Sequence, residues 1–306
     1  MAENALCVVN NKLIEGKFKL SAVECRLIMH TISRIGKDDE AFKTYEYTGN
    51  ELLDALRIGS ENHSYLIDVI EGLMKKTVKI RRSKSYLIAN WLGGETEVYD
   101  DGRIAIRFSE KLKPYLLQLK EQYTALQFES MMKFGSIYAS RIYMLCKQYE
   151  RIRKRIVEIK ELKELLQIEK EYKRFTDLKK WVIEPALREI NQFSDIRVRF
   201  EPDASTRIRK AYRNLVFYIQ PLVQGSKKHL NSAVVNKAEE KANKAYQRNL
   251  KAFRRLSEAD RAYWIEIGKS NAFYIPEAAE EYAIAAWISS KTDTQKEKEE
   301  LLSLCR

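Results

Sequence analysis

The hydrophobic pattern predicts alternating helices and strands along most of the chain. Ser21 and Glu24 have the spacing of a capping box, and an apolar face follows them at helical periodicity, which predicts a helix. Thr48 and Glu51 form a second capping box at the start of a short helix. Ser60 is the predicted cap of a longer helix.

Alternating and β-branched segments predict strands around these helices. In the first part of the chain the predicted strands are residues 43–47, 77–80, 86–91 and 103–108. The order then repeats, with a long helix over 138–149, a strand near 156, a helix over 159–166, a helix from about 176, and strands over 196–200 and 215–219.

The repeat extends to individual residues, because the segment 51–58 resembles the segment 161–168. Helix, strand, helix, helix and hairpin is the order of a winged helix. The predicted fold class is therefore α+β, mainly α, with two tandem winged-helix domains at 1–122 and 123–225 and a C-terminal helical extension of unknown role at 226–306. A single α+β domain without duplication is the alternative.

The charge balance indicates a polyanionic partner. The 306 residues include 55 Lys and Arg against 43 Asp and Glu, a net charge of +12, and the region 232–306 contributes only +1 of it. Nucleic acid and an acidic membrane surface both fit such a surplus, although a run of charges is also typical of a solvated helix face. No apolar run is long enough for a membrane span, and the basic helix predicted over 233–256 lacks the strong apolar face of a membrane-surface helix, so no membrane partner is expected. Four scattered cysteines favour the cytoplasm.

The sequence shows no pattern of a catalytic or metal-binding site. The three histidines, His30, His63 and His229, do not form a His-x-His pair, which argues against a rolling-circle nickase. Residues 268–270 read Gly-Lys-Ser, but Tyr263 stands where a phosphate-binding loop needs its first glycine. We therefore expect no catalytic residue, no metal and no cofactor.

Candidate DNA-binding residues lie where a winged helix would meet a duplex. The second helix of a helix-turn-helix enters the major groove, while cationic hairpin residues meet phosphates. In the second unit the candidates are Lys170, Lys173, Arg174, Thr176, Lys179 and Lys180 around the helix start, and Arg207, Arg209, Lys210 and Arg213 in the hairpin. In the first unit they are Asn62, His63, Arg81, Arg82 and Lys84. For His63 the favoured alternative is an exposed neutral side chain with no contact to DNA.

Several blocks resemble the plasmid replication initiators that bind repeated origin sequences, called iterons. The blocks are residues 8–14, 123–124, 131–149, 175–179 and 182–191, and the last reads Val-Ile-Glu-Pro-Ala-Leu-Arg-Glu-Ile-Asn. The resemblance covers about residues 6 to 222 and leaves the rest of the chain unexplained. It also accounts for Pro185 inside a helical pattern, where a proline removes a hydrogen bond and bends the helix.

The resemblance implies two winged helices joined near 115–130, of which the second supplies the dominant base contacts. It implies monomers that bind iterons in double-stranded origin DNA, and dimers that bind an inverted-repeat operator and repress the initiator's own gene. It also implies contacts with the host replication initiator and the replicative helicase. The alternatives are a winged-helix transcriptional regulator with no role in replication and, less favoured, a rolling-circle nickase.

Overall fold

The computed structural model describes residues 5–59, 62–94, 96–208, 211–222 and 252–269. Within them, 5–149 and 154–221 belong to one compact unit. The remaining described residues belong to a second unit, which includes a helix at Glu258–Lys269. The rest of the predicted extension 226–306 lies outside the described residues, as do Arg209 and Lys210.

The first module of the compact unit follows the predicted order of elements. They are β1 (Leu6–Asn10), α1 (Asn11–Ile14), α2 (Ala22–Ile32), β2 (Tyr45–Thr48), α3 (Gly49–Leu56), α4 (His63–Met74), β3 (Thr77–Arg81), β4 (Tyr86–Asn90), β5 (Glu97–Val98), β6 (Arg103–Ile106) and α5 (Lys113–Leu116). Strands β2, β6 and β5 form one antiparallel sheet, with β6 in the middle, while β3 and β4 form a separate hairpin.

The second module repeats the plan around a three-stranded sheet of its own. Its elements are β7 (Tyr123–Gln127), α6 (Phe128–Lys133), α7 (Ile137–Lys147), β8 (Lys154–Glu158), α8 (Ile159–Leu166), α9 (Phe175–Leu178), a π-helical turn (Lys179–Ile183), α10 (Glu184–Phe193), β9 (Ile196–Pro202), β10 (Arg207–Ile208), β11 (Ala211–Tyr212) and β12 (Asn214–Pro221). Strand β12 lies between β8 and β9, and β10 and β11 form the tip of the hairpin. We call residues 203–213 the wing.

Local hydrogen bonds explain why the helices begin where they do. The Ser21 hydroxyl accepts from the Glu24 N–H at 3.2 Å, and the Glu24 carboxylate accepts from the Ser21 N–H at 2.6 Å, so both halves of the predicted box form. Thr48 caps α3 through the Glu51 N–H, and the Glu51 carboxylate lies 3.9 Å from Arg34. Ser60 lies outside the described residues, and Asn62 precedes α4 without a side-chain cap.

The short second helix of each module ends in the same way. Arg57 after α3 and Gln167 after α8 both have φ 57° and ψ 44°, the left-handed conformation that stops a helix. The next N–H then bonds back to the helix, from Ile58 to Leu53 at 2.8 Å and from Ile168 to Lys163 at 2.9 Å. The similarity of 51–58 and 161–168 is therefore also a similarity of backbone, and it sets the turn into each third helix.

A buried arginine joins the two modules. Arg141 on α7 is 2% exposed and donates to the carbonyl oxygens of Ile14 at 2.9 Å, Gly16 at 2.8 Å and Leu165 at 3.1 Å. Its guanidinium also lies 3.9 Å from the centre of the Phe18 ring. Strand β1, shortly before Ile14, pairs antiparallel with β7, shortly before α7. The start of the chain is therefore held in the compact unit by both backbone and side-chain hydrogen bonds.

His30 is a buried titratable group in the first module. It is 1% exposed between the rings of Tyr47 and Phe128, and within the described residues neither ring nitrogen has a hydrogen-bond partner. Burial lowers the pKa of His30, which keeps the folded imidazole neutral.

We expect this histidine to make the fold acid-sensitive. The pKa of an unperturbed histidine is about 6.5. As pH falls below this value, His30 takes up a proton in the unfolded chain but stays neutral in the folded chain, so the free energy of unfolding falls. Between pH 7 and pH 5.5 this histidine should lower the free energy of unfolding by about 1 kcal/mol. Urea unfolding at both values should show this loss for the wild type and a smaller one for His30→Phe. Equal losses would contradict it.

Candidate nucleic-acid interface

The recognition helix of the second module is the helical run from α9 through the π-helical turn to α10. The chain enters it through Tyr172, with φ 48°, and Arg174, with extended φ −91° and ψ 142°. Lys173, Arg174 and Thr176 are exposed there. The inner face is buried, so the side chains available to a ligand are those at the start and on the outer face.

Side chains on the back of this helix fix its position. The Glu189 carboxylate accepts from the Gly135 N–H at 2.7 Å and the Ser136 N–H at 3.2 Å, before α7. The Asn191 amide donates to the Val198 carbonyl at 2.9 Å and accepts from the Val198 N–H at 2.6 Å, so it bonds to β9 like another strand. The residues that make the 182–191 block distinctive therefore hold the recognition helix against α7 and the sheet.

The wing contacts the start of the recognition helix. The Tyr212 ring packs edge-on against Phe175, with the ring centres 6.3 Å apart. The guanidinium carbon of Arg207 lies 5.5 Å from the centre of the Tyr212 ring. Tyr212 therefore contacts both Arg207 of the wing and Phe175, whose sequence neighbours are the exposed Arg174 and Thr176. The wing and the start of the recognition helix are joined through this aromatic contact, and each carries exposed cations.

The structure groups most of the described candidates of the second module. Those that are exposed at or near the helix start or in the wing are Lys170, Lys173, Arg174, Thr176, Lys179, Lys180 and Arg207. Lys179 lies 3.5 Å from Glu184, an exposed contact that screens its charge only weakly. Arg213 differs, because it pairs with Glu158 at 2.6 Å, at the junction of β8 and α8. Much of the Arg213 charge is compensated within the protein.

The first module separates its candidates. His63, with Asn62, lies at the beginning of α4, where its imidazole packs so closely on Gly49 that an added Cβ would be 3.0 Å from Nδ1. Arg81, Arg82 and Lys84 follow the opposite end of α4, on the β3–β4 hairpin. Their contacts are local: Arg81 covers Tyr86 at 4.6 Å, and Arg82 donates to the Tyr115 hydroxyl at 3.1 Å.

The wing position of the first module is acidic. The turn between β5 and β6 corresponds to the wing, since these strands share a sheet with β2. Asp100 and Asp101 occupy this turn, and Asp101 pairs with Arg103 at 2.8 Å. Acidic side chains there would repel phosphate, so the two modules differ in their suitability for a duplex.

Two ion pairs connect the first module to the helix-turn-helix of the second. The backbone of Lys17 pairs with that of Lys79 of β3 in an isolated antiparallel β-bridge. The ammonium of Lys17 lies 2.5 Å from the Glu164 carboxylate of α8. Lys19 lies 3.9 Å from Glu171, in the turn that leads to the recognition helix. Strand β3, which ends in Arg81, is thus linked to the second module through one short segment.

The sequence reasoning missed two exposed side chains of the recognition helix, Trp181 and Arg188. With Asp177 and Glu184 they follow the spacing i, i+4, i+7, i+11 of one helix face. That spacing is the signal in the sequence that could have indicated them. Arg188 also lines a groove of about 720 Å³ with Arg199 and Phe200 of β9.

Two further findings concern the described residues alone. They contain no group of three or more His, Cys, Asp or Glu side chains that could hold a metal ion. None of their helices is sufficiently long and apolar to cross a membrane.

Two winged-helix modules, of which the second groups cations on its recognition helix and wing, define a protein of the nucleic-acid-binding class. The chain belongs to the initiator replication protein family. Residues 6–147 match the family described as Initiator Replication protein, WH1, and residues 158–219 match the one described as Initiator Rep protein, WH2. These matches confirm the predicted tandem winged-helix fold and the resemblance to replication initiators.

The chain is also similar to a protein with a related description. The chain is 28% identical over 200 residues to a protein of Escherichia coli described as a replication initiation protein. The match covers 61% of this chain and 62% of the relative, so it spans less than two thirds of the relative's length.

Proposed function

We propose that this protein is a sequence-specific DNA-binding initiator of plasmid replication, which binds direct origin repeats as a monomer and performs no catalysis. The packing of Tyr212 on Phe175 carries the proposal, because it joins the wing, which bears Arg207, to the start of the recognition helix, which bears Arg174. A recognition helix with adjacent wing cations can read base edges while holding the phosphates on either side. Family membership supports replication as the context.

A footprint and a maintenance assay together test this proposal. The protein should protect direct repeats beside its own gene, with a period of whole helical turns, about 10.5 base pairs or a multiple. A plasmid that carries the gene and these repeats should replicate in a compatible host, and one with scrambled repeats should be lost. A footprint without plasmid maintenance would instead indicate a transcriptional regulator.

The nickase alternative has a separate test. Supercoiled origin DNA incubated with the protein and Mg²⁺ should stay supercoiled. Conversion to open circles would show strand cleavage and would contradict the non-enzymatic proposal.

The resemblance also supports a second oligomeric state. We propose that dimers bind an inverted repeat and repress the protein's own gene, and that the initiator contacts the host replication initiator and replicative helicase in the bacterial cytoplasm. The surface we assign to dimerisation is the outer face of the β3–β4 hairpin. Ile88 is 62% and Tyr86 50% exposed there, and in the described part of the chain β4 pairs only with β3. An edge strand with exposed apolar residues is suited to pairing with a second copy.

Replacing Ile88 with glutamate should therefore shift the protein to monomers. A buried charge in the dimer contact disfavours association, whereas the side chain is solvated in the monomer. Sedimentation equilibrium should show at least a tenfold weaker dimer, with Ile88→Val close to wild type. Repression of the protein's own promoter should fall while repeat binding is kept. A dimer unaffected by Ile88→Glu would contradict this assignment.

A further inference from the structure

Trp181 is a large apolar side chain in an unusual place. It is 58% exposed and lies in the middle of the recognition helix. On the inner face of the same helix Leu178, Val182 and Ile190 are buried. Trp181 therefore stands on the side of the helix that faces away from the protein core.

The outer face is defined by exposure. Lys180, Trp181 and Arg188 are exposed, whereas Leu178, Val182 and Ile190 of the same helical run are buried. This is the side that a recognition helix presents to the major groove. Trp181 occupies its centre, between the exposed Thr176 at the start and Arg188 two turns later.

A π-helical turn sets the position of Trp181 on this face. The Glu184 N–H bonds to the carbonyl of Lys179, five residues earlier, instead of four. Pro185 follows directly and has no N–H to donate, so the regular ladder cannot continue through this point. The turn inserts an extra residue into the helix within Lys179–Ile183, the segment that contains Trp181, and such turns recur at functional sites.

The neighbours of the indole favour DNA over an apolar protein partner. The Lys180 ammonium lies 4.6 Å from the centre of the Trp181 ring, and Lys179 and Arg174 are exposed nearby in sequence. This distance is within the range of a cation–π contact between the ammonium and the indole. An apolar ring surrounded by cations suits a ligand that carries phosphates along its edges and an apolar group between them.

The major groove has one such apolar point, the C5 methyl group of thymine. We propose that Trp181 is a specificity-determining residue that contacts the methyl group of a thymine in the target repeat, while the adjacent cations meet phosphates. This inference rests on the proposed function and identifies the base feature that its recognition helix reads.

Site selection provides the first test. Duplexes bound by the wild type, Trp181→Ala and Trp181→Phe are selected from a random pool, and the three preferred sequences are compared. The wild-type sequence should contain a thymine that Trp181→Ala no longer prefers and that Trp181→Phe keeps. Because Trp181 is exposed, neither substitution should disturb the fold, and the circular dichroism spectrum of each variant should match that of the wild type. An unchanged preference in Trp181→Ala would overturn the inference.

Deoxyuridine provides the second test, because it lacks only the methyl group. Replacing the selected thymine by deoxyuridine should weaken the wild type about fourfold, the effect of burying one methyl group, and should leave Trp181→Ala unaffected. An equal effect on both proteins, or on neither, would overturn the inference and leave the proposed function intact. Failure of the wild type to select any sequence would overturn the proposed function itself.

Discussion

Arg141→Met is expected to destabilise the protein by about 3 kcal/mol or more. The guanidinium serves three carbonyl oxygens from separate segments, those of Ile14, Gly16 and Leu165. Methionine fills a similar volume but leaves all three oxygens buried without these donors, and each such loss costs about 1–3 kcal/mol. Burial lowers the pKa of Arg141 to about 10, so the group is charged at neutral pH and its hydrogen bonds are charge-assisted.

A surface arginine of the same compact unit gives the matched control. Arg213 pairs with Glu158, yet its side chain is 63% exposed, so Arg213→Met should cost less than about 1 kcal/mol. Both variants are compared with the wild type by urea unfolding followed by circular dichroism. Arg141→Lys should fall between wild type and Arg141→Met, since one ammonium cannot reach all three oxygens. A loss below that of the Arg213 variant would refute the role of Arg141.

Local signals predicted the secondary structure because they act within a few residues. The Ser21 capping box and the repeat of 51–58 in 161–168 depend on hydrogen bonds to neighbouring backbone, and both exist in the structure as expected. The strand predicted at 196–200 extends to Pro202, an error typical of element ends.

Features that depend on distant residues could not be predicted in the same way. Arg141 lies within a block that carries the family resemblance, but nothing in its neighbourhood indicates that three remote carbonyls surround it. Pro185 predicts a distorted helix, yet whether the result is a kink or a π-helical turn depends on burying Val182 and Ile183 on one side.

The role of the candidate site stays a prediction, and the sequence indicates only part of its geometry. Cationic residue types and their order point to the helix start and the wing of the second module. The first module was harder, because β5 has only two residues and gives no period-2 signal. The hairpin that bears Arg81 and Arg82 was therefore the visible candidate, although the acidic turn after β5 occupies the wing position.

Lys179→Ala and Arg207→Ala are expected to weaken DNA binding in different ways. Lys179 lies on the recognition helix, so its loss should reduce affinity for the target repeat by about 10- to 100-fold, with a small effect on random duplex. Arg207 lies in the wing beside Tyr212, where it can meet a phosphate. Its loss should lower affinity for target and random duplex alike and reduce the salt dependence by about one phosphate contact.

Fluorescence anisotropy titrations distinguish the two roles. Each variant is measured on the selected repeat and on a scrambled duplex at several salt concentrations, because affinity alone does not separate base contacts from phosphate contacts. Lys43→Ala is the matched control, since Lys43 pairs with Asp39 in the first module. If Lys179→Ala lost affinity equally on both duplexes, with a reduced salt slope, Lys179 would be a phosphate contact. Base recognition would then rest on the outer face of the recognition helix, around Trp181.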